Sequence, residues 1–262
     1  MRTDIARLDI AVRRRSLIAY AVGMAVYALV VVALYPQFKD AASLNDLTKG
    51  GSAAAALFGV TGSLTSPGGW LDANLYENFF PLVMLLLTIG YGAACIAGQD
   101  EDGTLALVAV LPRRRQALVV EKIAAMVAQA LLVGAAVAVC VLIGQGFDLA
   151  LSPLHVISVS LAVILMGVDF GVLTAAVGSF TGRRGTALGA GTAVAAAAYL
   201  ISSLAPVVSW IRPARYASLF YWSVGNDQIV NGVGIADYGV LLCAGLAAVT
   251  ATVVGFRRLD LH

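Results

Sequence analysis

The chain has 262 residues, of which 60% are hydrophobic and only 12% charged, with a formal net charge of +2. The low charged fraction, together with a mean hydropathy of +0.88, excludes a soluble globular domain, because such domains carry about 25% charged residues. We therefore interpret the chain as an all-α integral membrane protein.

The amino-terminal residues 1–15 are polar and amphipathic. Ile5, Leu8 and Val12 recur at helical spacing among five arginines, so we predict a helix that lies on the inner membrane surface. A signal peptide is the alternative interpretation. The apolar run 16–35 that follows is long enough to span the membrane, and no cleavage site followed by a soluble chain occurs.

Crossing a bilayer takes roughly 20 apolar residues, and the chain offers six such segments. We predict spans at residues 16–35, 79–98, 118–144, 154–180, 186–206 and 238–256. Ser152 and Pro153 form a favourable cap and first-turn pair before the fourth span. The remaining residues suffice only for loops, so residues 1–262 are expected to form a single transmembrane domain.

Two connections are longer than the others. Residues 36–78 contain glycine-rich turns and an apolar stretch, 53–60, that is too short to cross the membrane. Residues 207–237 combine aromatic rings with polar side chains, and such rings prefer the headgroup layer. We predict short interfacial or re-entrant helices at 207–237, on the outer side.

Several polar residues lie within the apolar runs. We expect Gln129 to bond inside the bundle, and Glu121 and Lys122 to reach the interface. The three cysteines, Cys95, Cys140 and Cys243, are interpreted as small buried core residues. There is no CxxC or HExxH pattern, so we expect no metal site.

Asp169 lies in the middle of the fourth predicted span, where an ionised carboxylate is costly. One interpretation is a contact with substrate or a cation in a transport pathway. The other is a carboxyl group that bonds to a neighbouring helix.

The densest run of charge lies between the second and third predicted spans, at residues 99–117. An acidic triplet precedes Gly103, and Thr104 can cap a short helix, 105–111, whose leucines share one face. Pro112 ends this helix.

Lysine and arginine are distributed unequally between the two sides of the membrane. With the predicted spans, thirteen of these residues fall on one side and four on the other. Because positive charge favours the cytoplasmic side, both termini and the loop 99–117 are expected to face the cytoplasm.

The ordered pattern of the loop resembles the coupling loop of ABC-2 type transporter permeases. This pattern is an acidic cluster, Gly-Thr-Leu, apolar residues, Leu-Pro, basic residues and a lysine. Further similar stretches are Leu57–Gly59, Ser66–Trp70, Phe80–Leu82 and Phe256–Asp260. Gln99 departs from the family, which often has glutamate there.

The resemblance implies the membrane-spanning subunit of a bacterial ABC exporter in the cell membrane, with drugs, antibiotics or lipids as its substrate class. It also implies two ATPase subunits that hold ATP and Mg, and a second permease that is a copy or a paralogue. The loop would contact the ATPase subunit. The residues assigned to this contact are Asp100, Glu101, Gly103, Thr104, Leu105, Leu107, Pro112, Arg113 and Arg114.

No GxxxxGK[ST] sequence occurs in the chain, so it lacks the phosphate-binding loop of an ATPase. We therefore expect no enzymatic activity and no cofactor in this chain, with ATP hydrolysis in a partner. Two GxxxG patterns permit close helix contact and are candidates for the seam between two permeases. Their residues are Gly167, Gly171, Gly185 and Gly189.

Two other function classes remain. A proton-coupled secondary transporter would use Asp169 and need no ATPase partner. A membrane enzyme would need convergent polar groups, whereas the spans offer only Asp169 and Gln129 without a histidine, a Cys-His pair or paired acids.

Overall fold

The computed structural model describes residues 4–39, 65–104, 115–206 and 208–258. Within these ranges every regular element is helical. The α-helices are α1 (Asp4–Val12), α2 (Arg14–Phe38), α3 (Pro67–Leu71), α4 (Phe79–Ala93), α5 (Gln99–Glu101), α6 (Arg115–Ile143), α7 (Pro153–Thr181), α8 (Arg184–Leu204), α9 (Leu219–Ser223), α10 (Gln228–Asn231) and α11 (Ile235–Arg258).

Six stretches of the described chain are long and apolar enough to cross a membrane. They are Arg14–Phe38, Pro67–Glu101, Gln116–Phe147, Pro153–Thr181, Arg184–Leu204 and Ile235–Arg258. The expectation of an all-α membrane protein with six transmembrane helices is therefore confirmed.

The second spanning stretch begins earlier than the sequence indicates. It starts at Pro67, so residues 67–76, which the sequence places in a connection, are helical. Ser66 is the N-cap, and its Oγ accepts a hydrogen bond of 3.2 Å from the Gly69 amide. The glycines that suggest a turn serve packing here, because a Cβ at Gly68 would lie 2.6 Å from Val230 Cγ2.

This stretch contains two π-helical segments, Asp72–Tyr76 and Ala94–Gly98. The first, with the turn at Glu77 and Asn78 that follows it, separates α3 from α4, and the second joins α4 to α5 in one continuous helical rod. Each wider turn changes which side chains face the bundle, and such segments are frequent at functional sites. The second one leads directly into Gln99.

Helix α7 is the centre of the bundle and packs against α4, α6, α8 and α11. In its spanning window 72% of the residues are buried, compared with 17% in α8. The backbone of α4 approaches α7 so closely that a Cβ at Gly92 would collide with the Gly171 carbonyl oxygen. Small residues thus bring the two backbones together, as is typical of helices that associate in lipid.

The two ends of the bundle carry different polar contacts. The end that holds α1, residues 99–104, the start of α6 and the 182–183 turn is called here the loop end. At the opposite end, Lys39 Nζ and Asp148 Oδ2 form an exposed ion pair of 2.8 Å. The described residues 208–234 connect α8 to α11 at this opposite end.

Helix α9 begins near the opposite end and extends into the bundle. Ser218 Oγ, at its N-cap, donates a hydrogen bond of 2.7 Å to the carbonyl of Ala198, six residues before the end of α8. Ser223 Oγ lies 3.0 Å from Met166 Sδ near the middle of α7. Helix α9 therefore re-enters the bundle.

We expect Gly92→Ala to destabilise the protein, because the added methyl group pushes α4 away from α7. Overpacking of this kind costs about 1–3 kcal/mol. The measurement is the thermal unfolding midpoint of the detergent-solubilised protein. Gly23→Ala on α2 is the matched control, because a Cβ at Gly23 has no neighbour within 4 Å. Equal midpoints for the two variants would contradict the close contact.

Candidate functional site

The candidate coupling loop is described at its start, from Gln99 to Thr104. The predicted helix 105–111 and five of the assigned residues lie outside the described residues. These five are Leu105, Leu107, Pro112, Arg113 and Arg114.

Gly103 ends the helical rod. Its φ of +68° lies in the left-handed region, which a glycine adopts without the steric cost that a Cβ brings. Thr104 Oγ1 donates a hydrogen bond of 3.2 Å to the Gln99 carbonyl. The chain therefore leaves the rod through a defined turn.

Glu101 connects the loop to another spanning helix. Its Oε1 accepts a hydrogen bond of 3.0 Å from the amide of Arg184, the first residue of α8. A carboxylate at a helix N-terminus also interacts favourably with the helix dipole. The start of the loop is thereby attached to α8.

Asp100, which the resemblance assigns to the contact with the ATPase subunit, is buried in the chain. Its exposed fraction is 6%. Among the residues that the structure describes, Oδ1 has no hydrogen-bond partner. The helical rod turns this side chain inward, while Glu101 remains exposed.

Gln99 is part of a buried polar junction that the sequence did not reveal. Lys122 Nζ donates to Gln99 Oε1 at 2.5 Å and forms an ion pair of 3.5 Å with Asp9 Oδ2. The same Asp9 oxygen accepts a hydrogen bond of 2.7 Å from Tyr91 Oη. Gln99 Nε2 lies 3.5 Å from Asp9 Oδ1, and the Arg13 guanidinium lies 4.9 Å from the Tyr91 ring centroid.

The expectation that Glu121 and Lys122 reach the interface is wrong, because both are buried in the protein. Lys122 is 2% exposed and Glu121 4% exposed. The ammonium group of Lys122 points inward because the Asp9 carboxylate and the Gln99 amide oxygen lie there. Gln129 is also buried. Its Nε2 donates a hydrogen bond of 3.1 Å to the carbonyl oxygen of Ala125 in the same helix.

Asp169 is buried between α7 and α11. A Cβ at Gly245 on α11 would lie 2.5 Å from Asp169 Oδ1, so the glycine leaves room for the carboxyl group. Within the described chain, Asp169 Oδ2 has no hydrogen-bond partner. Among the described residues, Asp169 therefore lies in a helix contact in which Oδ2 makes no hydrogen bond to a neighbouring helix.

The two candidate glycine pairs lie in different environments. A Cβ at Gly171 would lie 2.8 Å from Thr88 Cβ, and one at Gly167 would collide with Met84. These two glycines are occupied by contacts inside the chain, so we no longer assign them to a seam between chains. Gly185 and Gly189 have no neighbour within 4 Å of an added Cβ.

A groove of about 400 Å³ lies between α4 and α8. Its walls are almost entirely apolar and include Leu82, Leu86, Leu188 and Ala196. Tyr199 Oη donates a hydrogen bond of 2.9 Å to Asn78 Oδ1 at the margin of the groove. The sequence gives no signal for this groove, because neither helix has a strong polar face.

The described residues contain no cluster of three or more His, Cys, Asp and Glu side chains that could hold a metal ion. Cys95 and Cys140 are buried free thiols. Cys243 is exposed on α11, so its interpretation as a buried core residue is wrong.

Comparison with known proteins completes the assignment. No curated protein matches the chain. Residues 3–259 match the model of the ABC-2 family transporter proteins, which is nearly the whole chain. Together with the six spanning helices, this match shows that the chain belongs to the ABC-2 transporter family and is a membrane-spanning permease component of an ABC transporter.

Proposed function

We propose that this permease receives the movement of a separate ATPase subunit through the loop 99–117 and uses it to export an apolar or amphipathic solute. The observation that carries the proposal is the attachment of the loop start to the bundle. Gln99 is bonded to Lys122 of α6, and Glu101 to the first residue of α8. A push on the loop would therefore reach two spanning helices directly.

The groove between α4 and α8 is our candidate for part of the translocation pathway. Its volume of about 400 Å³ falls within the range of pockets for small ligands. Its apolar walls favour a drug-like, antibiotic or lipid-like solute. One wall belongs to α8, the helix that Glu101 attaches to the loop, so a movement of the loop would change the width of the groove.

A second permease would complete the pathway. Only 17% of the α8 window is buried, and its exposed residues include Gly185 and Gly189. A helix face that contacts lipid gains little from glycine, whereas a helix face that contacts another helix gains close approach. We therefore propose that α8 faces the second permease, either an identical copy or a paralogue.

Asp169 does not line the groove. We assign it to the contact of α7 with α11 rather than to proton coupling. Membership of the ABC-2 family supports ATP, bound with Mg by two partner subunits, as the energy source. The bacterial cell membrane, cytoplasmic termini and the outward direction of transport are part of the same proposal.

Changing Leu105 and Leu107 together to Asp is expected to release the ATPase subunit. Placing charge in the apolar centre of an interface costs at least about 2 kcal/mol, or roughly thirtyfold in affinity. The measurement is the amount of ATPase subunit that co-purifies with the tagged chain from its own host. The control changes both leucines to isoleucine. A native chain that purifies without an ATPase would contradict the proposal.

Ala196→Trp is expected to fill the groove and reduce solute-stimulated ATP hydrolysis by the reconstituted complex at least about fivefold, since steric overpacking costs about 1–3 kcal/mol. Basal hydrolysis reports whether the complex remains assembled. Leu246→Trp is the control, because Leu246 is 67% exposed on α11, away from the groove. If both variants respond to solute equally, the groove is not the pathway.

Oxidative crosslinking tests the α8 seam. Gly189→Cys in a Cys243→Ser background is expected to form a disulfide-linked dimer in membranes, because symmetric copies of α8 bring the two introduced thiols together. The unaltered chain is the control, since its Cys243 is exposed on α11. A dimer that forms through Cys243 in the unaltered chain but not in the Gly189→Cys variant would place the seam on α11. With a paralogous partner, the crosslinked product contains that partner.

A further inference from the structure

We propose that Asp9 fastens α1 to the loop end of the bundle, so that α1 and the start of the loop move as one body during transport. The functional part of this inference rests on the proposed role of the loop. Its structural part, the attachment of α1, stands independently.

The polar contacts between α1 and the bundle converge on the carboxylate of Asp9. Asp9 Oδ2 accepts a hydrogen bond from Tyr91 of α4 at 2.7 Å and faces the ammonium group of Lys122 on α6 at 3.5 Å. The side chains of Lys122 and Asp9 are only 3% and 11% exposed. In such a site charge attraction is weakly screened, and the loss of one partner leaves the other charge buried and unpaired.

Apolar burial contributes to the attachment of α1 only through Ile10 among its described hydrophobic side chains, and Ile10 is partly buried against the core. Leu8 and Val12 are 59% and 77% exposed, on the side of α1 that points away from the protein. These side chains suit the acyl region of a membrane surface. The side of α1 that faces the bundle presents Asp9 and Ile10, and Arg13, directly after α1, lies over the Tyr91 ring. The polar contacts of Asp9 and Arg13 therefore add directional links to the apolar packing of Ile10.

The junction also includes the first residue of the loop. Gln99 accepts from Lys122 through Oε1 and lies beside Asp9 through Nε2. An amide suits this position because it offers an acceptor to the lysine and a donor to the aspartate. A displacement of the loop must therefore either carry α1 along or break contacts to a buried charge.

Spin labels can test the attachment without any ATPase. Ala11 on α1 and Val120 on α6 are exposed. Ala11→Cys and Val120→Cys in a Cys243→Ser background therefore provide two accessible thiols for spin labels. We expect a narrow distance distribution in the otherwise native chain and a broad one in Asp9→Asn. The loss of a buried ion-pair partner shifts the ratio of attached to detached α1 by at least roughly a hundredfold.

Asp148→Asn is the matched control, because it removes a carboxylate from the exposed ion pair with Lys39 and should leave the distribution narrow. Asp9→Glu should also remain narrow, because it keeps the charge. An unchanged narrow distribution in Asp9→Asn would overturn the inference.

Function is tested in the reconstituted complex with its ATPase. Asp9→Asn should still bind the ATPase subunit but lose most of its solute-stimulated ATP hydrolysis, and Asp9→Glu should restore it. If Asp9→Asn fails to fold, Asp9→Asn with Lys122→Met leaves no unpaired buried charge. Normal stimulation in this double variant would overturn the coupling role of Asp9. Failure of the ATPase to bind the native chain would contradict the proposed function but not the attachment of α1.

Discussion

The close contact of α4 with α7 is the constraint on which the rest of the bundle depends. In lipid, apolar side chains gain little by leaving the acyl chains for one another, so helices associate through tight packing and polar contacts. Gly92 and Gly171 allow the two backbones to touch, and Gly167 makes room for Met84. Because α7 is thereby enclosed, α8 is left at the periphery, where the groove opens beside α4.

The two ends of the bundle use charge differently. At the opposite end, Lys39 and Asp148 form an ion pair whose side chains are 36% and 65% exposed, and such pairs contribute little to stability. At the loop end, Lys122 and Asp9 are almost completely buried. A buried pair is sensitive to the loss of either partner. The buried polar contacts thus lie at the end that we propose to contact the ATPase subunit, and Glu101 extends them to α8.

Sequence patterns identified the spanning segments because about 20 apolar residues are a strong local signal. They failed where tertiary contact changed the meaning of a residue. Ser66 and Pro67 have the same cap signature as Ser152 and Pro153, yet Gly68 and the glycine after it suggested a turn. In the structure Gly68 admits Val230, and the helix continues.

The chain by itself determined that the protein lies in a membrane, which segments cross it and which loop carries the acidic and basic residues. These properties follow from local composition, and the solvent imposes them on each segment separately. Only the tertiary structure decided that Lys122 turns inward to Asp9, that Gly171 is buried while Gly189 is open, and that a groove lies beside α8. Those outcomes depend on which helices are neighbours, and in a uniformly apolar chain the helix faces carry little information about their partners.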